Sequence, residues 1–123
     1  MPDSTHVLPA NTIIGDHVRN PEGEDLGRIE ELMIDLGSGR IVYAVLSFGG
    51  VLGIGDKLFA IPWNALRLDP DDNEIVLEVK RETLESAPGF DKEDWPAMAD
   101  RAWGTEIHNH YGFDPYWQAS PPR

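Results

Sequence analysis

Over the first two thirds of the chain, apolar residues come in short runs, often alternating with polar ones. Clusters of Gly, Pro, Asn and Asp separate the runs. This is the pattern of β-strands joined by turns. Ile13 to Arg19 reads as a first strand, stopped by Asn20-Pro21-Glu22-Gly23-Glu24, where Pro21 presets φ and Gly23 can supply a positive one. Leu26 to Leu36 reads as a longer strand carrying Ile29, Leu32 and Ile34. Its adjacent Glu30 and Glu31 break the alternation and imply a bulge or an exposed edge. After the turn Gly37-Ser38-Gly39, the run from Ile41 to Phe48 is almost wholly apolar, as in a strand buried on both faces. A glycine-dense reversal from Gly49 to Gly55 leads to a strand from Lys57 to Ile61, which Pro62 ends because it cannot donate to a ladder. Asn64 to Leu68 reads as a connection or short strand, and Asp69 to Asn73 as a turn. Glu74 to Lys80 reads as a last strand with Ile75, Leu77 and Val79 on one face. About six short strands in this order predict an all-β barrel or sandwich.

Beyond Lys80 the pattern changes. Thr83 to Ala87 reads as one helical turn, ended by Pro88-Gly89. Asp91 is placed to cap a second helix, with Asp94 at the capping-box position and Pro96 tolerable only near its start. Trp95, Trp103, Tyr111, Phe113, Tyr116 and Trp117 make the remainder aromatic. A tail this apolar should pack on its own barrel or on a neighbouring subunit. These six residues are the expected interaction surface, since buried Trp and Tyr dominate interface energetics. A homodimer is the expected state, because small barrels have little core and subunit contact is a common remedy. The chain thus divides into a flexible leader (1–10), a barrel domain (11–80) and a helical, aromatic C-terminal extension (81–123).

At 123 residues with 41% hydrophobic content, the chain suits one domain with one core. The absence of cysteine excludes a disulfide scaffold, a thiolate zinc site, an iron–sulfur cluster and a thiol nucleophile. Neither a secretory signal nor an apolar stretch of membrane-spanning length is legible, so a cytoplasmic location and no membrane insertion are expected. A net charge of −12, acidic in both halves, opposes binding to nucleic-acid phosphate.

Motifs that would carry chemistry lack their partners. Gly50 and Gly55 have P-loop spacing, but Asp56 stands where the lysine belongs and no hydroxyl follows. Gly37-Ser38-Gly39 lacks the third glycine of a dinucleotide fingerprint. Asp69, Asp71 and Asn73 resemble the start of an EF-hand loop, but Glu74 and Lys80 occupy the sixth and twelfth positions. Ser47 has Val45 where a nucleophile elbow needs glycine. His108 and His110 are the remaining candidates: in an extended segment they would share a side and could grip a metal, with Glu106 or Asp114 as third ligand. On a helix they would point well apart. No catalytic residue and no cofactor is expected.

The segments Ile14-Gly15-Asp16-His17-Val18, Gly23-Glu24-Asp25-Leu26-Gly27-Arg28-Ile29, Ile34-Asp35 and Gly39-Arg40-Ile41 together resemble the PRC-barrel family. The block from Ser47 to Lys57 followed by Ala60-Ile61-Pro62-Trp63 strengthens the likeness, which covers roughly residues 11 to 80. That family includes the cytoplasmic domain of the photosynthetic reaction-centre H subunit, the C-terminal domain of a ribosome-maturation factor, and small free-standing bacterial proteins. The resemblance implies a small PRC-type β-barrel that acts as a protein-binding or assembly module, with no shared catalytic constellation. It also suggests two alternatives, an accessory in RNA processing or ribosome assembly and a reaction-centre accessory. A metal-dependent enzyme built on His108 and His110 is a third, independent of the family.

Overall fold

The computed structural model of the chain describes residues 7–48, 57–69 and 74–118. The glycine reversal at 49–55, most of the turn at 69–73 and the start of the leader lie outside these residues.

Six strands form one curled antiparallel-rich sheet: β1 (His17–Arg19), β2 (Asp25–Asp35), β3 (Arg40–Phe48), β4 (Lys57–Pro62), β5 (Leu66–Asp69) and β6 (Glu74–Leu77). Their order is β4-β3-β2-β1-β6-β5. Every pairing is antiparallel except β1 with β6, where Val18 lies opposite Ile75 and Arg19 opposite Val76. That parallel contact joins the two ends of the barrel sequence and curls the sheet around its core. Val42 to Phe48 are all buried, so β3 is covered on both faces as its unbroken apolar run requires. Val18, Leu26, Ile29, Leu46, Ile61, Leu77 and Leu84 fill the interior.

Two irregularities shape β2. Gly27 has φ of 108° and lies so close to β3 that an added Cβ would meet the Ser47 carbonyl oxygen at 2.0 Å. The register of β2 on β3 then shifts between Ile29 and Glu31, which is the bulge expected from the adjacent glutamates. β2 is an inner strand, between β1 and β3, and not an edge.

Other elements depart from expectation. Ala10–Thr12 is a 3₁₀ turn, and the chain at Ile13 and Ile14 completes it before β1 begins at His17. β6 stops at Leu77, where Val79 N–H turns back to the Leu77 carbonyl, and Val76 is buried along with Ile75 and Leu77. Trp63–Ala65 forms a second 3₁₀ turn between Pro62 and β5.

Helix α1 (Arg81–Glu85) matches the expected turn and drives Leu84 into the core. The helix expected at Asp91 does not form. Pro96 lacks an N–H and disfavours helical backbone at Trp95, so 91–94 makes only a turn. The helix starts later, as α2 (Arg101–Tyr111). Asp100 caps it by accepting from Ala102 N–H at 2.9 Å, and Gly112 ends it with φ of 80° while Phe113 N–H bonds the His108 carbonyl. α2 lays Gly104, Ile107, His108 and Tyr111 inward beside β4 and β3.

Candidate functional site: an acidic cleft beside a docked aromatic tail

The extension folds back onto its own barrel. Tyr43, buried on β3, meets the rings of Trp103, His108 and Tyr116 with centroids 5.4, 5.5 and 5.8 Å apart. Trp117 packs against His108 and Tyr116, and the Arg101 guanidinium lies over its ring. Arg40 Nη2 donates to the Tyr116 carbonyl. Of the six aromatics expected to form one interaction surface, Tyr111 is buried and Trp103, Tyr116 and Trp117 are partly buried in this packing. Only Trp95 and Phe113 remain exposed, at 39% and 37%. The reason is helix α2: it turns Trp103 and Tyr111 toward the barrel, and its glycine cap returns the chain so that Tyr116 and Trp117 close over His108.

The same helix separates the two histidines, which lie two positions apart and therefore point in different directions. His108 is 2% exposed. Its Nδ1–H donates to the Gly104 carbonyl at 2.7 Å, while Nε2 accepts from Tyr116 N–H at 3.2 Å. His110 Nε2–H donates to the Thr83 carbonyl at 2.8 Å and ties α2 to α1. Asp114 is exposed on the turn after the helix. Among the described residues no three His, Cys, Asp or Glu side chains come together to hold a metal ion. Ser47 is buried in the middle of the sheet rather than raised on a strand–helix turn.

A feature that sequence reasoning missed lies on the other side of β4. A cleft of about 510 Å³ opens between the β2 bulge and the loop after α1. Its walls carry Glu30, Glu31, Asp91 and Glu93, with Lys92 as the one cation among the described lining residues and Trp95 as its aromatic face. In a regular strand Glu30 and Glu31 would point to opposite faces; the bulge leaves both exposed and both on the cleft. The opposing loop is held to β4 by a two-way backbone bridge, Leu58 N–H to the Phe90 carbonyl at 3.0 Å and Phe90 N–H to the Leu58 carbonyl at 2.8 Å. The turn closes through Asp94 N–H to the Asp91 carbonyl at 2.9 Å. Trp95 is fixed at both ends, its Nε1–H donating to the Lys92 carbonyl at 2.8 Å and its ring packing on Phe90. It is thus an oriented indole that stays 39% exposed.

A second, smaller charged spot surrounds His17, whose Nδ1 lies 3.3 Å from Asp25. The Asp25 carboxyl is held below its usual pKa, first by the Gly27 N–H it accepts and then by His17. Both side chains are about half exposed, so this pair is a surface contact of small energetic weight.

No helix among the described residues is long and apolar enough to cross a membrane. Compared with known proteins, residues 6–84 match the family model described as PRC-barrel domain, well over half of the chain. No curated protein matches the sequence.

Proposed function

Because the chain belongs to the PRC-barrel domain family, we propose that it works as a binding or assembly module without catalytic chemistry of its own, and that its cleft takes a basic segment of a partner protein. The observation that carries this reading is the fixed, half-open indole of Trp95 set among four carboxylates. A Lys or Arg side chain entering the cleft would place its cation over the indole face, worth about 0.5–1 kcal/mol at an exposed site. Its charge would meet Glu30, Glu31 and Glu93, while Asp91 already lies 3.8 Å from the Lys57 ammonium. Each exposed pair adds only about 0.2–1 kcal/mol, so useful affinity needs several basic side chains in one segment. The net charge of −12 steers such a segment inward. A second copy of this acidic chain is a poor complement for the same cleft. With most of the aromatic tail packed on its own barrel, the cleft takes precedence over the tail as the interface.

Isothermal titration of the full chain with a short Lys- and Arg-rich peptide tests the reading. Binding at low salt that fades as salt approaches about 0.5 M, and that Trp95→Ala weakens, is the supporting result. Equal affinity for an acidic peptide of the same length would overturn it. Ribosomal RNA in the same titration addresses the RNA-processing alternative, which rests on family analogy and meets an acidic surface.

A further inference from the structure

We infer that the segment 113–118 is a pH-released strap, latched to the barrel by the neutral form of His108. The residue is 2% exposed, its ring packed by Tyr43 from β3, Gly104 from its own helix, and Tyr116 and Trp117 from the strap. Both ring nitrogens are committed, and in opposite senses. Nδ1 must carry a proton to bond the Gly104 carbonyl, and Nε2 must lack one to accept the Tyr116 N–H. Only one neutral tautomer satisfies both. A second proton on Nε2 sets two donors against each other and removes the hydrogen bond by which the His108 side chain holds the Tyr116 backbone of the strap.

The charged neighbours among the described residues are cations. Arg40 reaches from β3 to the Tyr116 carbonyl and lines a small cavity with His108, and Arg101 lies behind Trp117. The other titratable groups facing the ring are the phenols of Tyr116 and of Tyr43, whose pKa burial pushes further up. No carboxylate among the described residues hydrogen-bonds the imidazole or lines its cavity to stabilise a charge there. Burial accordingly lowers the pKa of His108, with the Gly104 carbonyl partly offsetting it. Protons therefore bind the released state more readily than the docked one. The docked strap keeps its full stability above the ordinary imidazole value and loses it as pH falls below that value toward the lowered one. Release frees Tyr116 and Trp117 and uncovers Trp103 and the ring of Tyr43. The strap lies apart from the cleft, so this device stands or falls independently of what the cleft binds.

Nuclear magnetic resonance on the full chain tests it. The protection factor of the Tyr116 amide should fall by up to about tenfold per pH unit below the ordinary imidazole range. The Trp117 indole signal should move with the same midpoint as His108's own imidazole signals. The core amide of Val45 should stay more protected than Tyr116 throughout. His108→Gln, which carries no titrating charge, should flatten the dependence. If that variant does not fold, the coincidence of the His108 and Trp117 midpoints in the native chain still decides. Tyr116 protection that stays constant through the titration of His108, or that falls only together with Val45 to a common value, would overturn the proposal.

Discussion

The close approach of Gly27 to β3 holds in place the strand whose bulge builds one wall of the cleft, and replacing this glycine tests that arrangement. Two costs arise in Gly27→Ala. The backbone sits at φ of 108°, which a residue with a Cβ adopts at a cost of about 1–3 kcal/mol. The new Cβ would also lie 2.0 Å from the Ser47 carbonyl oxygen, where real contacts are 3.0 Å or longer, so the two strands must part by about 1.0 Å. Overpacking of this kind costs roughly 1–3 kcal/mol, and it strikes where Arg28 pairs with Ser47. Against both stands a gain of about 0.4–1 kcal/mol from the stiffer unfolded chain. The net loss is then roughly 1–6 kcal/mol, a large share of the 5–15 kcal/mol that holds a typical domain together. Gly39→Ala is the matched control, with φ of 73° and open space where its Cβ would go. It bears the conformational cost alone. Urea denaturation followed by circular dichroism should show Gly27→Ala less stable than Gly39→Ala by at least about 1 kcal/mol. Equal midpoints and slopes for the two variants would refute the close approach of β2 and β3.

Further consequences concern the extension. Gly104→Ala adds a good helix former but drives a Cβ to 2.8 Å from both the Tyr43 hydroxyl and the Trp117 ring, so Trp117 should leave its site and gain acrylamide accessibility. The Tyr43 hydroxyl is buried and makes no hydrogen bond among the described residues, so Tyr43→Phe should leave thermal stability unchanged or raise it by about 1 kcal/mol. The same change opens space for the alanine, and a double-mutant cycle of Tyr43→Phe with Gly104→Ala should show favourable coupling. Asp100→Ala removes the cap of α2 and should lower stability by about 0.5–2 kcal/mol in thermal unfolding.

How far the sequence speaks differs from element to element. β3 is legible because a run buried on both faces needs no partner to identify it, and the paired glutamates pointed to a bulge or an edge in β2, of which the structure has the bulge. The family likeness agrees with the match over residues 6–84. α2 was hidden although its signals were present: Asp100 before it, Gly112 after it, and Trp103, Ile107 and Tyr111 at intervals of four. Gly104, Thr105, Asn109 and two histidines are weak helix formers, and the earlier Asp91 and Pro96 resembled a start. Packing against the barrel outweighs those propensities. The parallel pairing of β1 with β6 has no local signature, because it depends on curling of the whole sheet. The cleft was illegible for the same reason, since Glu30 and Glu93 meet across it only after β4 and the Phe90 bridge have formed.

Residue-resolved mapping of a Lys- and Arg-rich peptide on the isotope-labelled chain shows whether a partner binds in the cleft. Shifts should centre on the Trp95 indole and the amides of Glu30, Glu31 and Glu93, and Glu30→Gln with Glu31→Gln should abolish them. Shifts spread evenly over the acidic surface, or centred on the aromatic tail with Trp95 unmoved, would contradict binding there.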